Sequence, residues 1–313
     1  MSGYRDAALF VLLSAIWGTS FMAIKVGLDF MPPVLFAAFR YDITGLLMLV
    51  YAFFAVDYWL PRSRADYLTL LVETVLIIAL YNAFLFIGET GVSSGVAAIL
   101  IGMNPILTTG FSRLFLPEER LSLVGTGGLL LGFVGVGLVV FPRDGTVAFS
   151  DLVSPGFVLL AAASVALGSV LVQRLDGGIS SEGMVAWSTA LGAVLLHAIS
   201  VAMPSESFDA VEVTTEGVLA VVYLAVVASA IGYVLYFRLL ERLGAIEINF
   251  VSYTVPVFAA ISGWLVLNEV LDALSIVGFL VILLGFALLK RRALRAELRT
   301  LQQRYQSDSP GSR

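Results

Sequence analysis

The chain has 313 residues, of which 59% are hydrophobic and 13% are charged, and its mean hydropathy is +0.96. Soluble domains are roughly 45–50% apolar and about 25% charged, so this composition excludes a soluble globular protein and predicts a polytopic membrane protein. The absence of cysteine excludes disulfides and thiolate metal sites, and with one histidine, His197, we predict no metal centre.

Ten segments are long and apolar enough to cross a membrane as helices, which requires about 20 predominantly apolar residues. In chain order they are residues 7–28, 33–56, 67–89, 91–115, 121–141, 153–174, 181–203, 214–238, 245–267 and 272–291. Turn-forming or charged residues separate them, for example at 61–64 and 176–178. The sequence therefore predicts an all-α fold of ten transmembrane helices.

Basic residues between the segments predict the orientation, because lysine and arginine accumulate in short cytoplasmic loops. With a cytoplasmic amino terminus, fifteen basic residues fall on the cytoplasmic side and only Arg143 falls on the opposite side. Lys25 and Arg40 lie inside or at the edge of a segment. We therefore predict a multi-pass protein of the plasma membrane with both termini in the cytoplasm.

A pattern in the first half of the chain recurs 150 or 151 residues later. It comprises Pro105, Glu118, Glu119, Gly128 and Gly135 in the first half, and Pro256, Glu269, Gly278 and Gly285 in the second. Ten helices divided by this repeat give five per half, and an odd number orients the two halves oppositely. We predict two inverted five-helix repeats, residues 1–145 and 146–292, and a basic cytoplasmic tail, residues 293–313.

The same segments resemble EamA-type proteins of the drug/metabolite transporter superfamily. The matching stretches are residues 14–21, 23–25, 38–40, 93–98 leading to Pro105, 228–233, 244–245 leading to 256–260, and 267–269. The resemblance implies ten helices in two inverted bundles that move small metabolites by alternating access without ATP. One departure is in the sixth segment, where Leu167 stands at the place of Trp17.

Motifs for enzymatic chemistry are not found. The chain lacks the GxxxxGK[ST] loop that binds ATP phosphates, and we assemble no nucleophile–base set for an intramembrane enzyme. We therefore predict that the protein is not an enzyme and needs no cofactor. The expected partners are a small-molecule substrate, the lipid bilayer and, as a candidate coupling ion, the proton. No nucleic-acid partner is expected, and the protein is predicted to be a monomer or a homodimer.

Charged side chains at membrane depth are candidates for the transport site, because each costs at least a few kcal/mol unless it meets a partner or water. Arg40 suits a carboxylate or phosphate, and the alternative is an internal ion pair with Glu73 or Glu89. Asp42 is a candidate for substrate binding or proton coupling, or else a packing residue. On a helix it points about 200° away from Arg40, so the two are not expected to pair.

Further candidates are polar or aromatic residues within the segments. Glu73 is a second candidate for proton coupling, with pairing near the cytoplasmic face as the alternative. Asn82 is expected to face the cavity or to bond another helix, and Asn104 to face substrate or to cap the backbone freed by Pro105. Trp17 and Tyr81 are predicted to line the pocket, because the resemblance places the first and third helices there.

Two prolines and a set of glycines complete the prediction. Pro105 and Pro256 each remove one backbone hydrogen bond, so they are predicted gating kinks, with packing as the alternative. Glycines spaced three, four and seven residues apart in the fifth and tenth segments predict close helix contact there or with a second protomer. The function predicted is a secondary transporter, an exporter or exchanger, of a small polar metabolite such as an amino acid. The alternative is a non-transporting receptor or scaffold on the same fold.

Overall fold

A computed structural model describes residues 2–115, 123–141, 148–244, 248, 250–289 and 291. Within these residues every regular element is helical. The ten apolar helices are α1 (Ser2–Leu28), α2 (Pro33–Ala55), α3 (Arg64–Glu89), α4 (Ser94–Phe115), α5 (Leu123–Val140), α6 (Phe149–Leu175), α7 (Ser181–Ala202), α8 (Thr215–Leu243), α9 (Val251–Leu267) and α10 (Ala273–Leu289).

These helices confirm the predicted all-α membrane architecture. Seven of them are long and apolar enough to cross a membrane, and α5, α9 and α10 are shorter apolar helices within the described residues. The tail 293–313 and the residues Glu118 and Glu119 of the repeated pattern lie outside the described residues. We call the side on which α1 ends and α2 begins the predicted outer side, following the distribution of arginine.

Two helices contain a π-helical segment at the same place in each half of the chain. The segments are Glu73–Leu80 in α3 and Tyr223–Ile231 in α8, so they begin 150 residues apart. A π-helical segment is uncommon and often marks a functional site, because it changes the direction in which side chains and carbonyls point. The apolar sequence of either helix gives no hint of it.

The two prolines of the repeated pattern have different surroundings. In α4 the helix is interrupted at Gly102 and Met103, and Pro105 lies in the first turn of the segment Asn104–Phe115, where its missing N–H is not needed. Pro256 lies inside α9, which continues as a helix on both sides of it. Equivalent positions in the sequence are thus a helix break in one half and a continuous helix in the other.

Glycines allow α5 and α10 to pack backbone against backbone, as the spacing predicted. A Cβ atom added to Gly128 would lie 2.5 Å from the carbonyl oxygen of Gly285, and one added to Gly135 would lie 2.7 Å from that of Gly278. The earlier glycine of α5 therefore faces the later glycine of α10, and the later faces the earlier. The two helices are antiparallel.

Helices from different halves of the chain also pack against each other around the centre of the bundle. Gly45 of α2 lies against Ala190 of α7, and Gly18 of α1 lies against α9 at Phe258. Likewise, Gly88 of α3 lies against Val158 of α6. The two halves are therefore interleaved, and the space between them is bounded by helices of both.

Two buried carboxylates join the halves, one on each side of the bundle. Asp66, at the start of α3, accepts hydrogen bonds from the backbone N–H groups of Gly178 (2.8 Å) and Ile179 (3.1 Å) just before α7. On the predicted outer side, Glu206 accepts from the N–H groups of Val34 (3.1 Å) and Leu35 (2.9 Å) at the start of α2. Each carboxylate satisfies donors at or near a helix amino terminus, where negative charge is favoured.

Candidate functional site

A cavity of about 400 Å³ lies between the two halves. Among the described residues, its wall is built by α1, α2, α3, α4, α6, α7, α8 and α9, together with Ile248 just before α9. This volume falls in the range of roughly 300–1,000 Å³ that is usual for small-molecule sites. The cavity is therefore large enough for a small metabolite.

The wall is mostly aromatic and apolar, with few polar groups. Its aromatic side chains are Trp17, Phe21, Tyr41, Tyr81, Tyr233, Tyr236 and Phe237. The uncharged polar ones include Ser20, Asn104, Ser169 and Ser252. Arg40 is the only charged side chain among the lining residues that the structure describes, so the cavity has a local positive charge and no acidic counterpart in this part of the chain.

Arg40 is buried, yet its charge is not neutralised by a nearby carboxylate. Its Nε donates to Ser229 Oγ (3.1 Å), and its guanidinium lies 5.0 Å from the ring centroid of Tyr41, an arrangement that stabilises a cation. Within the described residues no carboxylate oxygen, including those of Glu73 and Glu89, is within 4.0 Å of it. The remaining guanidinium N–H groups donate to no described residue, so they can bind a ligand.

Trp17 contacts the π-helical segment of α8. Its Nε1 donates to the carbonyl oxygen of Ala228 (3.1 Å), and its ring lies 5.6 Å from that of Tyr236. Gly232 makes room for the indole, because a Cβ there would lie 2.8 Å from Trp17 Nε1. Tyr81 follows directly on the π-helical segment of α3 and also lines the cavity.

Asn104 lines the cavity next to the break in α4. Its Oδ1 accepts a hydrogen bond from Thr108 Oγ1 (3.1 Å), one turn further along the same helix. This contact leaves the amide nitrogen for other partners. The structure thus brings Trp17, Arg40, Tyr81 and Asn104 together at one cavity.

The structure places Asn82 and Glu73 away from the cavity wall. Asn82 is fully buried and donates to Tyr41 Oη (3.1 Å) and to the carbonyl oxygen of Ile78 (2.7 Å). It therefore positions a lining tyrosine and is not itself among the lining residues. Glu73 is buried between α3 and α7, where its Oε1 accepts from Ser188 Oγ (3.2 Å).

Asp42 is also outside the described cavity wall. Its Oδ2 lies 2.9 Å from His197 Nε2 of α7, and the side chain is 47% exposed. The helical geometry that separates Asp42 from Arg40 by about 200° explains why one side chain lines the cavity and the other does not. Its predicted part in substrate binding or proton coupling is therefore not supported by proximity to the cavity.

Several wall residues were not selected from the sequence. These are Tyr41, Tyr233 and Tyr236. Ser229, which binds Arg40 but does not itself line the cavity, was not selected either. A signal did exist, because residues 228–233 are one of the stretches that resemble the family. What the sequence lacks is any sign of the π-helical segment that presents this stretch to the cavity.

Comparison with known proteins agrees with this architecture. The sequence profile of the EamA-like transporter family matches residues 6–141 and 155–291, one match in each half. A WAT1-related chloroplastic protein of Arabidopsis thaliana is 30% identical over 277 residues, which are 87% of this chain and 66% of that protein. A solved crystal structure shares the fold with a TM-score of 0.65 at 20% identity, covering 94% of this chain and 99% of that one.

Two bacterial relatives are of nearly the same length as this chain. The uncharacterized transporter YvbV of Bacillus subtilis is 27% identical, over 92% of both proteins. A probable amino-acid metabolite efflux pump of Salmonella typhimurium is 28% identical, over 90% of this chain and 93% of that protein. The family profile covers most of the sequence in two successive matches, and the chain belongs to the EamA-like transporter family of membrane transporters.

Proposed function

We propose that this transporter carries a small metabolite with a carboxylate, such as an amino acid, by alternating access between two inverted five-helix repeats. The observation that carries the proposal is Arg40, a buried guanidinium that faces the cavity with no carboxylate within 4.0 Å in the described residues. Hydrogen bonds between arginine and a carboxylate are strong because both partners are charged.

The rest of the wall limits the kind of substrate. With Arg40 as the charged group of the described wall, a purely cationic substrate would meet a like charge and no carboxylate there. Aromatic side chains such as Trp17 and Tyr81 suit an apolar or aromatic substituent and can stabilise an ammonium group by cation–π contact. Asn104 adds an amide that can bind a second polar group. An amino acid with an apolar side chain matches all three features.

The antiparallel pairing of α5 and α10 supports the inverted repeat. Gly128 and Gly135 correspond to Gly278 and Gly285 at a shift of 150 residues, and each glycine faces the counterpart of the other. Such a self-complementary contact is expected when two similar units are related by a twofold axis. The π-helical segments of α3 and α8, which also begin 150 residues apart, agree with this relation.

Alternating access requires that contacts between the halves break on one side while they form on the other. The carboxylates Asp66 and Glu206 are suited to this, because each joins the two halves on a different side of the bundle. Gating by Pro105 and Pro256, proton coupling by Asp42 or Glu73, and the cytoplasmic location of both termini stay predictions.

Counterflow in proteoliposomes tests the proposal. Vesicles containing the purified protein and unlabelled L-phenylalanine are diluted into radiolabelled L-phenylalanine, and we expect transient accumulation of the label. A panel of amino acids and 2-oxo acids should compete, whereas L-phenylalaninamide, which lacks the carboxylate, should not. Binding of these compounds to the folded protein without counterflow of any of them would favour the receptor alternative.

A further inference from the structure

A group of charged side chains lies just beyond the cavity wall on the predicted outer side. Leu85 of α3 and Ala98 of α4 line the cavity, and Glu89 and Ser94 each lie one helical turn further out on the same face. Lys25 of α1 directly follows the lining residue Ile24. Lys25, Glu89, Ser94 and Glu269 are called the outer cluster below.

Contacts within the outer cluster close this end of the bundle. Lys25 Nζ donates to the carbonyl oxygens of Glu89 (2.7 Å), Thr90 (3.3 Å) and Val92 (2.9 Å), at the carboxyl end of α3, where a cation is favoured. Glu269, after α9, accepts with Oε2 from Ser94 N (2.9 Å) and Ser94 Oγ (2.5 Å). The contact between Glu269 and Ser94 joins the two halves of the chain.

Glu89 is the member of the outer cluster whose side chain has no hydrogen-bond partner among the described residues. Its side chain is fully buried, and neither Oε1 nor Oε2 has a hydrogen-bond partner among the described residues. The Lys25 ammonium binds backbone carbonyls and lies more than 4.0 Å from the carboxyl oxygens of Glu89. A buried charge without a partner costs several kcal/mol, whereas a neutral carboxyl group is far less costly.

The groups around Glu89 come from α1, α2, α6, α3 itself and the segment after α9. Lys25 of α1 and Arg40 of α2 contribute positive charge, and Glu269 contributes negative charge. Tyr81, on the same helix, is the nearby phenol. From α6 the contacts are made by uncharged Ser154 and Val158 beside Gly88. The positive charge of Lys25 and Arg40 favours a carboxylate at Glu89 once water enters.

We propose that Glu89 is the proton-binding residue that couples transport to a proton gradient, an inference that rests on the proposed function. With the outer cluster closed, Glu89 holds a proton. When Ser94 and Glu269 separate and water enters, the proton passes from the Glu89 carboxyl group to water, and the carboxylate that remains faces Lys25. Opening of the outer side and proton release are thereby linked.

The variant Glu89→Gln keeps the shape of the side chain and removes the proton site. In proteoliposomes we expect it to retain counterflow of L-phenylalanine and to lose accumulation driven by an imposed pH gradient. Glu73→Gln, which changes a second buried carboxyl group of α3, should keep the gradient-driven accumulation. Gradient-driven accumulation that survives in Glu89→Gln, or that is lost only in Glu73→Gln, would overturn the assignment. Wild-type protein that shows counterflow but no accumulation driven by a pH gradient would also overturn it, while leaving the transport function in place.

A second measurement needs no substrate. Because the chain contains no cysteine, Ala98→Cys introduces a unique thiol at the outer end of the wall, and Val270→Cys, at a site that is 79% exposed, gives a reference. We expect the labelling rate by a membrane-impermeant maleimide, relative to the reference, to change with pH, and to become independent of pH when Glu89→Gln is added. A relative rate that is already independent of pH in the parent would overturn the proton site. If this rate responds to pH but L-phenylalanine shows no counterflow, only the proposed substrate class fails.

Discussion

The two halves of the chain differ most in where they carry charge. Lys25, Arg40 and Glu89 all lie in the first half, at the cavity or the outer cluster. Their counterparts 150 residues later are Leu175, Ala190 and Leu239. The second half instead supplies neutral acceptors, such as Ser229 Oγ for Arg40 and the Ala228 carbonyl oxygen for Trp17. Apart from Glu269 of the outer cluster, the charged groups at the cavity and the outer cluster thus lie in the first half.

The hydrogen bonds to the two π-helical segments are equivalent in position but are made by different kinds of side chain. Ser164 of α6 donates to the carbonyl oxygen of Leu76 in α3 (2.7 Å), and Trp17 of α1 donates to that of Ala228 in α8 (3.1 Å). In both cases the first helix of one half bonds the π-helical segment of the other half. The donor is a small hydroxyl in one contact and an indole in the other, so the cavity is lined differently on its two sides.

Substitution of the paired glycines of α5 and α10 is expected to have the largest effect. It tests whether the two halves of the chain are structurally equivalent at this contact. Gly135→Leu or Gly278→Leu should each prevent close packing of α5 and α10, because even a Cβ would lie 2.7 Å from the opposite carbonyl oxygen. Overpacking typically costs about 1–3 kcal/mol, and forcing two backbones apart should cost more. We expect little folded protein, measured by size-exclusion chromatography after extraction.

The control for this experiment lies two residues away. Gly137 is exposed, and a Cβ there would have no atom within 4 Å, so Gly137→Leu should leave the yield of folded protein unchanged. If Gly278→Leu were tolerated while Gly135→Leu was not, the two halves would not be equivalent at this contact.

The variant Arg40→Ala tests whether the charge that the first half contributes to the cavity wall is needed for substrate binding. Removal of the guanidinium should weaken L-phenylalanine binding by about 10- to 100-fold, since hydrogen bonds to a charged group contribute roughly 1.5–3 kcal/mol. Arg40→Lys should recover only part of the loss, because a lysine cannot bind a carboxylate with two parallel hydrogen bonds. Competition against labelled L-phenylalanine gives the affinities.

The melting temperature distinguishes substrate binding from a structural role of Arg40. No described carboxylate neutralises this arginine, so Arg40→Ala should not lower the melting temperature of the ligand-free protein. A destabilised variant that binds L-phenylalanine with unchanged affinity would remove Arg40 from the site.

Trp17→Leu gives the first half the residue that the second half has at position 167. We expect a loss of affinity of about 3- to 10-fold, because a neutral hydrogen bond contributes about 0.5–1.5 kcal/mol. Trp17→Phe keeps an aromatic ring but loses the bond to Ala228, so it should fall between wild type and Trp17→Leu. Equal affinities for all three proteins would show that the aromatic contrast between the halves does not affect binding.

The sequence predicted the helices well, because each is a predominantly apolar run whose ends are marked by turn-forming or charged residues. It also predicted the contact of α5 with α10, since glycine spacing reports directly on close packing. It identified Arg40 and Asn104 as candidates because polar residues at membrane depth are unusual. Trp17 and Tyr81 were selected because the family resemblance places the first and third helices at the cavity.

The sequence could not predict which groups these residues contact. Whether Asp42 meets the cavity or His197 depends on the rotation of α2 about its axis, which packing against α7 sets. The free carboxyl group of Glu89 depends on Lys25 binding the backbone carbonyls, a choice between two kinds of acceptor that spacing does not report. The π-helical segments likewise leave the hydrophobic pattern of the sequence unchanged.

Substitution of Asp42 is expected to have the smallest effect on transport. Asp42 also shows how far the comparison of charge between the two halves can be taken. It too has an uncharged counterpart, Gly192, so charge in the first half does not by itself identify a functional residue. Because its pair with His197 is partly exposed and such pairs contribute about 0–1 kcal/mol, Asp42→Asn should change the rate of counterflow by less than about twofold. If Asp42→Asn abolished gradient-driven accumulation and left counterflow intact, proton coupling would belong to Asp42, as its position at membrane depth first predicted, and Glu89 would lose that role.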